Sequence, residues 1–192
     1  MRNCTQVLRA LLCVFIIIAG TTLPSHAQIV PKGITCSNGD YLGFLEYKPV
    51  NYATEGKVKH PLIIFLHGIG ERGTTSNDPA TLKSSALKVE RVGLAKNVKN
   101  GKQYPFILIS PQLKGSYGTW PASYVMDVLN HVKKTLRIDP KRIYITGLSL
   151  GGFGTWTTLG ANPGVFAAAL PICAGGNSLS KACAIASENV PV

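Results

Sequence analysis

Residues able to do chemistry are concentrated in the segment RIYITGLSLGGFGTW, residues 142–156. Ser149 stands between Gly147 and Gly151, directly after an apolar β-like run and directly before a helix-compatible run rich in small residues. A serine held at a sharp strand-to-helix turn presents its hydroxyl above the sheet, beside the unpaired N–H groups of the helix start, and can serve as a nucleophile. Such a turn needs minimal side chains two positions to either side, which Gly147 and Gly151 supply. Gly152 lets the helix lie close against the strand. Gly-x-Ser-x-Gly is a short pattern that also arises by chance, so the competing explanation is a glycine-rich turn with an incidental serine. The placement between strand and helix favours the nucleophile.

A second constellation, IIFLHGIGERG at residues 63–73, ends a buried strand pattern in His-Gly-x-Gly. A loop of this kind can offer a backbone N–H to the oxyanion that forms when a serine attacks a carbonyl. The sequence therefore predicts two main-chain donors, Ile69 and Leu150, with Gly68 as the alternative for the first. Glu71 and Arg72 are expected to pin the loop by ion pairs or hydrogen bonds. His67 is expected to shape it through its ring nitrogens rather than to act on substrate.

The elements that must carry these groups follow from apolar patterning. Residues 62–66, 106–109, 143–146 and 166–173 are continuous apolar runs, the pattern of strands covered on both faces. YLGFLEY (Tyr41–Tyr47) alternates instead, as an edge or antiparallel strand does. Between the strands, residues 80–92 are helix-compatible, and Val125, Val128, Leu129, Val132 and Leu136 recur at helical spacing with Lys133 and Lys134 outward. Asn162-Pro163-Gly164 stops the helix after Ser149. Strand and helix alternate throughout, which predicts an α/β domain with a mostly parallel sheet and helices on both faces.

The N-terminus has a different character. Arg2 and Arg9 precede an apolar run at residues 10–19, and Ser25-His26-Ala27 forms a small-x-small exit. That is the layout of a secretory signal peptide cut after Ala27, over an apolar run too short for a comfortable membrane span. Residues 1–27 are thus expected to be a leader, and 28–192 a single domain, secreted or periplasmic, with no stable membrane anchor after cleavage. The 192-residue chain carries a formal charge of +11, spread over lysines such as Lys83, Lys88, Lys96, Lys99 and Lys102 rather than gathered in a block. A solvated surface accounts for it, and no nucleic-acid partner is expected. Cys36, Cys173 and Cys183 follow the leader, and the short interval between the last two suggests a disulfide.

FLHGIGERG, FILISPQL, RIYITGLSLGGFGTW and FAAALPIC together resemble the secreted α/β-hydrolase esterases and peptidases near prolyl oligopeptidase, dienelactone hydrolase and feruloyl or polyhydroxybutyrate-depolymerase-like esterases. The resemblance covers most of residues 41–192. It implies serine-dependent hydrolysis of a small-molecule or polysaccharide-linked ester through an acyl-enzyme on Ser149, without metal or organic cofactor. One departure stands out. In this fold an acid and then a histidine follow the serine, yet after Ser149 there is no Asp, no His and one acid, Glu188. The closing ENVPV reads as the lead-in to a further strand, so the chain is expected to be incomplete at its C-terminus, lacking the last strand or strands and their helices. Two alternatives remain open: a peptidase of the prolyl-oligopeptidase type, and a non-catalytic relative binding an acidic polysaccharide. Trp120, Tyr117 and Tyr124 could line an aromatic acyl pocket or simply cover the core.

Overall fold

The computed structural model describes residues 29–73, 87–176 and 179–192. Six strands form one mixed sheet: β1 (Ile29–Thr35), β2 (Tyr41–Tyr47), β3 (His60–Leu66), β4 (Ile107–Pro111), β5 (Ile138–Leu148) and β6 (Ala168–Ile172), in the order β1-β2-β4-β3-β5-β6. The β1–β2 and β2–β4 pairs are antiparallel; β4, β3, β5 and β6 run parallel. Four helices are described: α1 (Gly93–Lys99), α2 (Ala122–Thr135), α3 (Leu150–Ala161) and α4 (Leu179–Ser187).

Alternation along the strands divides the interior in two. Leu62, Ile64, Leu66, Ile107, Ile109, Ile143 and Ile145 share one cluster with Val125, Val128, Leu129 and Val132 of α2 and Leu159 of α3. Phe65, Leu108, Leu45 and Tyr47 meet Ala95 and Val98 of α1 in the other cluster. Strands buried from both sides have no polar face to alternate, so their sequences read as unbroken apolar runs. In α2 the predicted stripe is buried and Lys133 and Lys134 are exposed. Leu136 lies just past the helix, extended, and still packs on the core.

Several expectations need correction. The Tyr41–Tyr47 strand is antiparallel but interior, because β1, which the sequence pattern did not reveal, takes the edge. Of the helix expected at residues 80–92, residues 80–86 lie outside the described residues; Lys88–Arg91 is a 3-10 turn, and the α-helix starts only at Gly93. Burial on both sides does not hold for β6. It is the other edge strand, and Leu170 is 59% exposed. Beside it, Ile63, Phe65, Leu94, Tyr144, Leu170 and Ile172 line an apolar groove of about 430 Å3 on the α1 side of the sheet. Cys173 and Cys183 are both free, exposed thiols. Cys173 lies just past β6 in a left-handed conformation (φ 52°) while Cys183 sits in α4, and no bond joins them. The expected leader lies outside the described residues, among which no helix is long and apolar enough to cross a membrane.

Candidate active site

Ser149 occupies the single residue between the end of β5 and the start of α3. Its backbone is left-handed, φ 54° and ψ −115°, a conformation that costs a non-glycine residue of order 1–3 kcal/mol. The bend persists because both its backbone groups are tied: Ser149 N–H donates to Ile172 O at 2.9 Å, and Phe153 N–H donates to Ser149 O at 3.0 Å. The residue is exposed, and its hydroxyl makes no hydrogen bond to any described residue.

The glycines around it are forced by close backbone approach. A Cβ on Gly151 would lie 2.0 Å from Leu66 O and 2.8 Å from His67 O; one on Gly147 would meet Gly151 O at 2.3 Å. On Gly152 it would strike Ile172 O at 2.5 Å. All three glycines therefore seat α3 on the ends of β3, β5 and β6. Gly154 plays the same part against Trp120, whose Cβ would be 2.5 Å away.

The loop after β3 comes up beside this elbow. Gly68 is extended and leads into a 3-10 turn, Ile69–Glu71. A Cβ on Gly68 would sit 3.9 Å from Ser149 Cβ and 3.6 Å from Leu148 O, so the loop backbone lies directly against the serine. Neither the Ile69 N–H nor the Leu150 N–H, each opening its helical turn, finds an acceptor among the described residues.

His67 is fully buried, and both its ring nitrogens are engaged. Leu113 N–H donates to Nε2 at 2.9 Å, so Nδ1 carries the proton and donates to Gly68 O at 2.6 Å. Burial drives its pKa down to about 4, which keeps the ring neutral and preserves the acceptor nitrogen. Since a peptide unit is planar and trans, fixing Gly68 O fixes the opposite-facing Ile69 N–H of the same unit. Trp120 caps the arrangement, its ring 4.9 Å from that of His67 and its Nε1–H donating to His67 O at 3.1 Å. Trp120 and Tyr124 are each 1% exposed, so they belong to the core and do not line an acyl pocket.

Arg72 pins the loop by hydrogen bonds, as its position suggested. Its Nε–H donates to Ile69 O at 3.1 Å and Nη1–H to Tyr117 O at 2.7 Å. The structure does not bring an imidazole to Ser149 among the described residues: His60 is buried at the opposite end of β3 near Glu55, and His131 lies on α2 against Phe44. Sequence reasoning missed Asp40, whose carboxylate gathers Lys114, Tyr117, Tyr124 and Asn38. Residues 74 or more apart meet there, save the near neighbour Asn38, so no local pattern could have signalled it.

A six-stranded mixed sheet flanked by helices, with this elbow at the end of β5, matches known proteins. Residues 110–182 match the prolyl oligopeptidase family. A thermostable esterase superposes with a TM-score of 0.61 at 30% identity, over 82% of this chain and 44% of its own length. The chain has the α/β-hydrolase fold. A feruloyl esterase module from Clostridium thermocellum, solved with sinapinate, shares the fold: TM-score 0.56 and 22% identity, over 86% of this chain and 62% of that one. Poly(3-hydroxyalkanoate) depolymerase C of Paucimonas lemoignei is 40% identical over 58 residues, 30% of this chain and 14% of that protein. The chain thus spans less than half of the esterase and a small part of the depolymerase.

Proposed function

We propose that Ser149 is the nucleophile of a carboxylic ester hydrolase working through an acyl-enzyme. Ser149 Oγ attacks the ester carbonyl carbon as its proton passes to a base, and the carbonyl oxygen becomes an anion held by the Ile69 and Leu150 N–H groups. Collapse of the tetrahedral intermediate expels the alcohol, which takes up the proton, and water then releases the acid by the same path in reverse. The observation that carries this reading is the exposed, left-handed Ser149 with the Gly68 backbone against its Cβ. The base is not among the described residues, so the proposal concerns the natural gene product that contains this sequence.

The substrate class is a small-molecule or polysaccharide-linked ester, supported by the feruloyl esterase and the depolymerase among the similar proteins. Export, with cleavage after Ala27, belongs to the same proposal and is checked by N-terminal sequencing of the mature protein. A second reading, hydrolysis of short peptide amides, is favoured by the match of residues 110–182 to the prolyl oligopeptidase family. The test uses the natural gene product and its Ser149→Ala variant with p-nitrophenyl acetate and butyrate and with peptidyl-proline amides. Ester turnover should fall by several powers of ten on substitution. Equal rates for the two proteins would remove Ser149 from the chemistry, and amide turnover without ester turnover would establish the second reading.

A further inference from the structure

The loop that carries Ile69 is tied to a second loop that the proposed chemistry does not use. Beyond β4, residues 113–117 run beside residues 69–73: Gly73 N–H donates to Leu113 O at 3.1 Å and Gly115 N–H to Gly73 O at 3.2 Å. Within this second loop Tyr117 N–H closes a turn on Lys114 O at 3.1 Å. Both ends of the turn then reach one carboxylate in the β1–β2 hairpin: Lys114 Nζ donates to Asp40 Oδ1 at 2.8 Å, and Tyr117 OH to Asp40 Oδ2 at 2.7 Å. Tyr124 OH from α2 also donates to Oδ2, so the carboxylate is anchored to the core helix as well. With its ends held, the turn presents Tyr117 O to the Arg72 guanidinium.

The guanidinium is a rigid planar fork, so fixing one N–H direction fixes the others. Arg72 spans Tyr117 O and Ile69 O, which makes Ile69 a residue whose two flanking peptide planes are each held by a side chain. His67 holds the plane before it through Gly68 O, and Arg72 holds the plane after it through Ile69 O.

We propose that Arg72 is a positioning residue for the Ile69 amide, and that Asp40 sets Arg72 in turn through the Lys114–Tyr117 turn. The inference rests on the reading of Ile69 as an oxyanion donor. Loss of the clamp leaves the donor present but free to swing, and a misplacement near 1 Å is worth up to about a hundredfold in rate. A lysine at position 72 has no fork and reaches one carbonyl at a time.

The test compares the natural gene product with Arg72→Ala, Arg72→Lys, Asp40→Ala and the Arg72→Ala/Asp40→Ala double variant. Three quantities are read: kcat and KM for p-nitrophenyl butyrate, and Ki for an alkylboronic acid whose tetrahedral adduct places an oxygen anion at the same donors. Arg72→Ala should lower kcat about ten- to hundredfold, leave KM within about threefold, and raise Ki in step with the fall in kcat. Damage that merely unfolds part of the sample lowers kcat but leaves Ki unchanged. Asp40→Ala should show a smaller effect of the same kind. The double variant should be no worse than Arg72→Ala alone, because Asp40 acts through Arg72. Wild-type Ki in Arg72→Ala, or effects of the two single changes that multiply, would overturn the proposal. Should Arg72→Ala fail to fold, Arg72→Lys decides by the same two criteria. Ser149→Ala separates the two levels: if it keeps turnover, the ester-hydrolase reading falls; if it abolishes turnover while the Arg72 variants keep wild-type kcat and Ki, only the clamp does.

Discussion

Replacing Gly151 with alanine adds one methyl group at the most crowded point of the elbow. Its new Cβ would lie 2.0 Å from Leu66 O, 2.5 Å from Leu66 C and 2.8 Å from His67 O, all backbone atoms of the β3 end. No rotamer change can relieve a clash with main chain. Contact becomes ordinary near 3.4 Å, so the start of α3 must back away from β3 by about 1.4 Å along that line. Overpacking with backbone displacement costs about 3 kcal/mol, the upper end of its usual range, which in a domain of this size lowers Tm by about 6–12 °C. The same shift carries the Leu150 N–H away from the Gly68–Ile69 loop, so ester turnover should fall about a hundredfold or more even in the folded fraction. Circular-dichroism melting and p-nitrophenyl butyrate hydrolysis measure the two effects. Gly118→Ala is the control, since a Cβ there meets nothing within 4 Å and the cost should stay within about 0.5 kcal/mol. A Gly151→Ala protein as stable as the parent would refute the claim that backbone contact between α3 and β3 dictates glycine at this position.

Ser149→Gly should abolish ester turnover yet raise stability by about 1 kcal/mol, because glycine accepts the left-handed backbone that serine occupies under strain; thermal melting reads the gain. His67 should make stability depend on pH. Its folded pKa, near 4, lies below its ordinary 6.5, so the unfolded chain binds the extra proton first: its contribution is intact above pH 6.5 and is lost as pH falls from there toward 4. Between pH 7 and 5 the loss amounts to about 2 kcal/mol. Urea denaturation across that window measures it, and His67→Gln should flatten the slope, leaving the smaller part due to His60, whose pKa is also lowered by burial. In protein lacking residues 1–27, Cys173 and Cys183 should react quickly with a thiol reagent. Cys36, buried and with its pKa pushed up to about 12, should react only on unfolding. The absence of fast thiols would restore the disulfide.

What the sequence made legible follows from the range over which each feature is encoded. The turn at Ser149 is written within fifteen residues and the His67 loop within eleven, because glycine spacing and strand endings are local constraints, and the structure places a strand-to-helix turn and a strand-end loop there. The parallel strands β3, β4 and β5 were legible for a related reason: burial on both faces removes every polar residue from a short run. Features that depend on neighbours far along the chain were not. β1 contains Pro31 and Gly33 and owes its strand character to pairing with β2, and α1 is seven residues long with Gly93 at its start, too short for periodicity to declare it. β6 misled because an apolar run reports what a strand could bury, whereas Leu170 and Ile172 stand open beside the groove in the described residues. The same division runs through the candidate site. The turn at Ser149 and the loop after His67 are local and were readable, while the groups that hold the loop (Leu113 on His67, Tyr117 on Arg72, Asp40 on Tyr117) sit 45 to 77 residues from their partners. Positioning is therefore the part of such a site that only three-dimensional packing reveals. A serine pattern alone predicts a nucleophile without predicting how firmly its oxyanion donors are held.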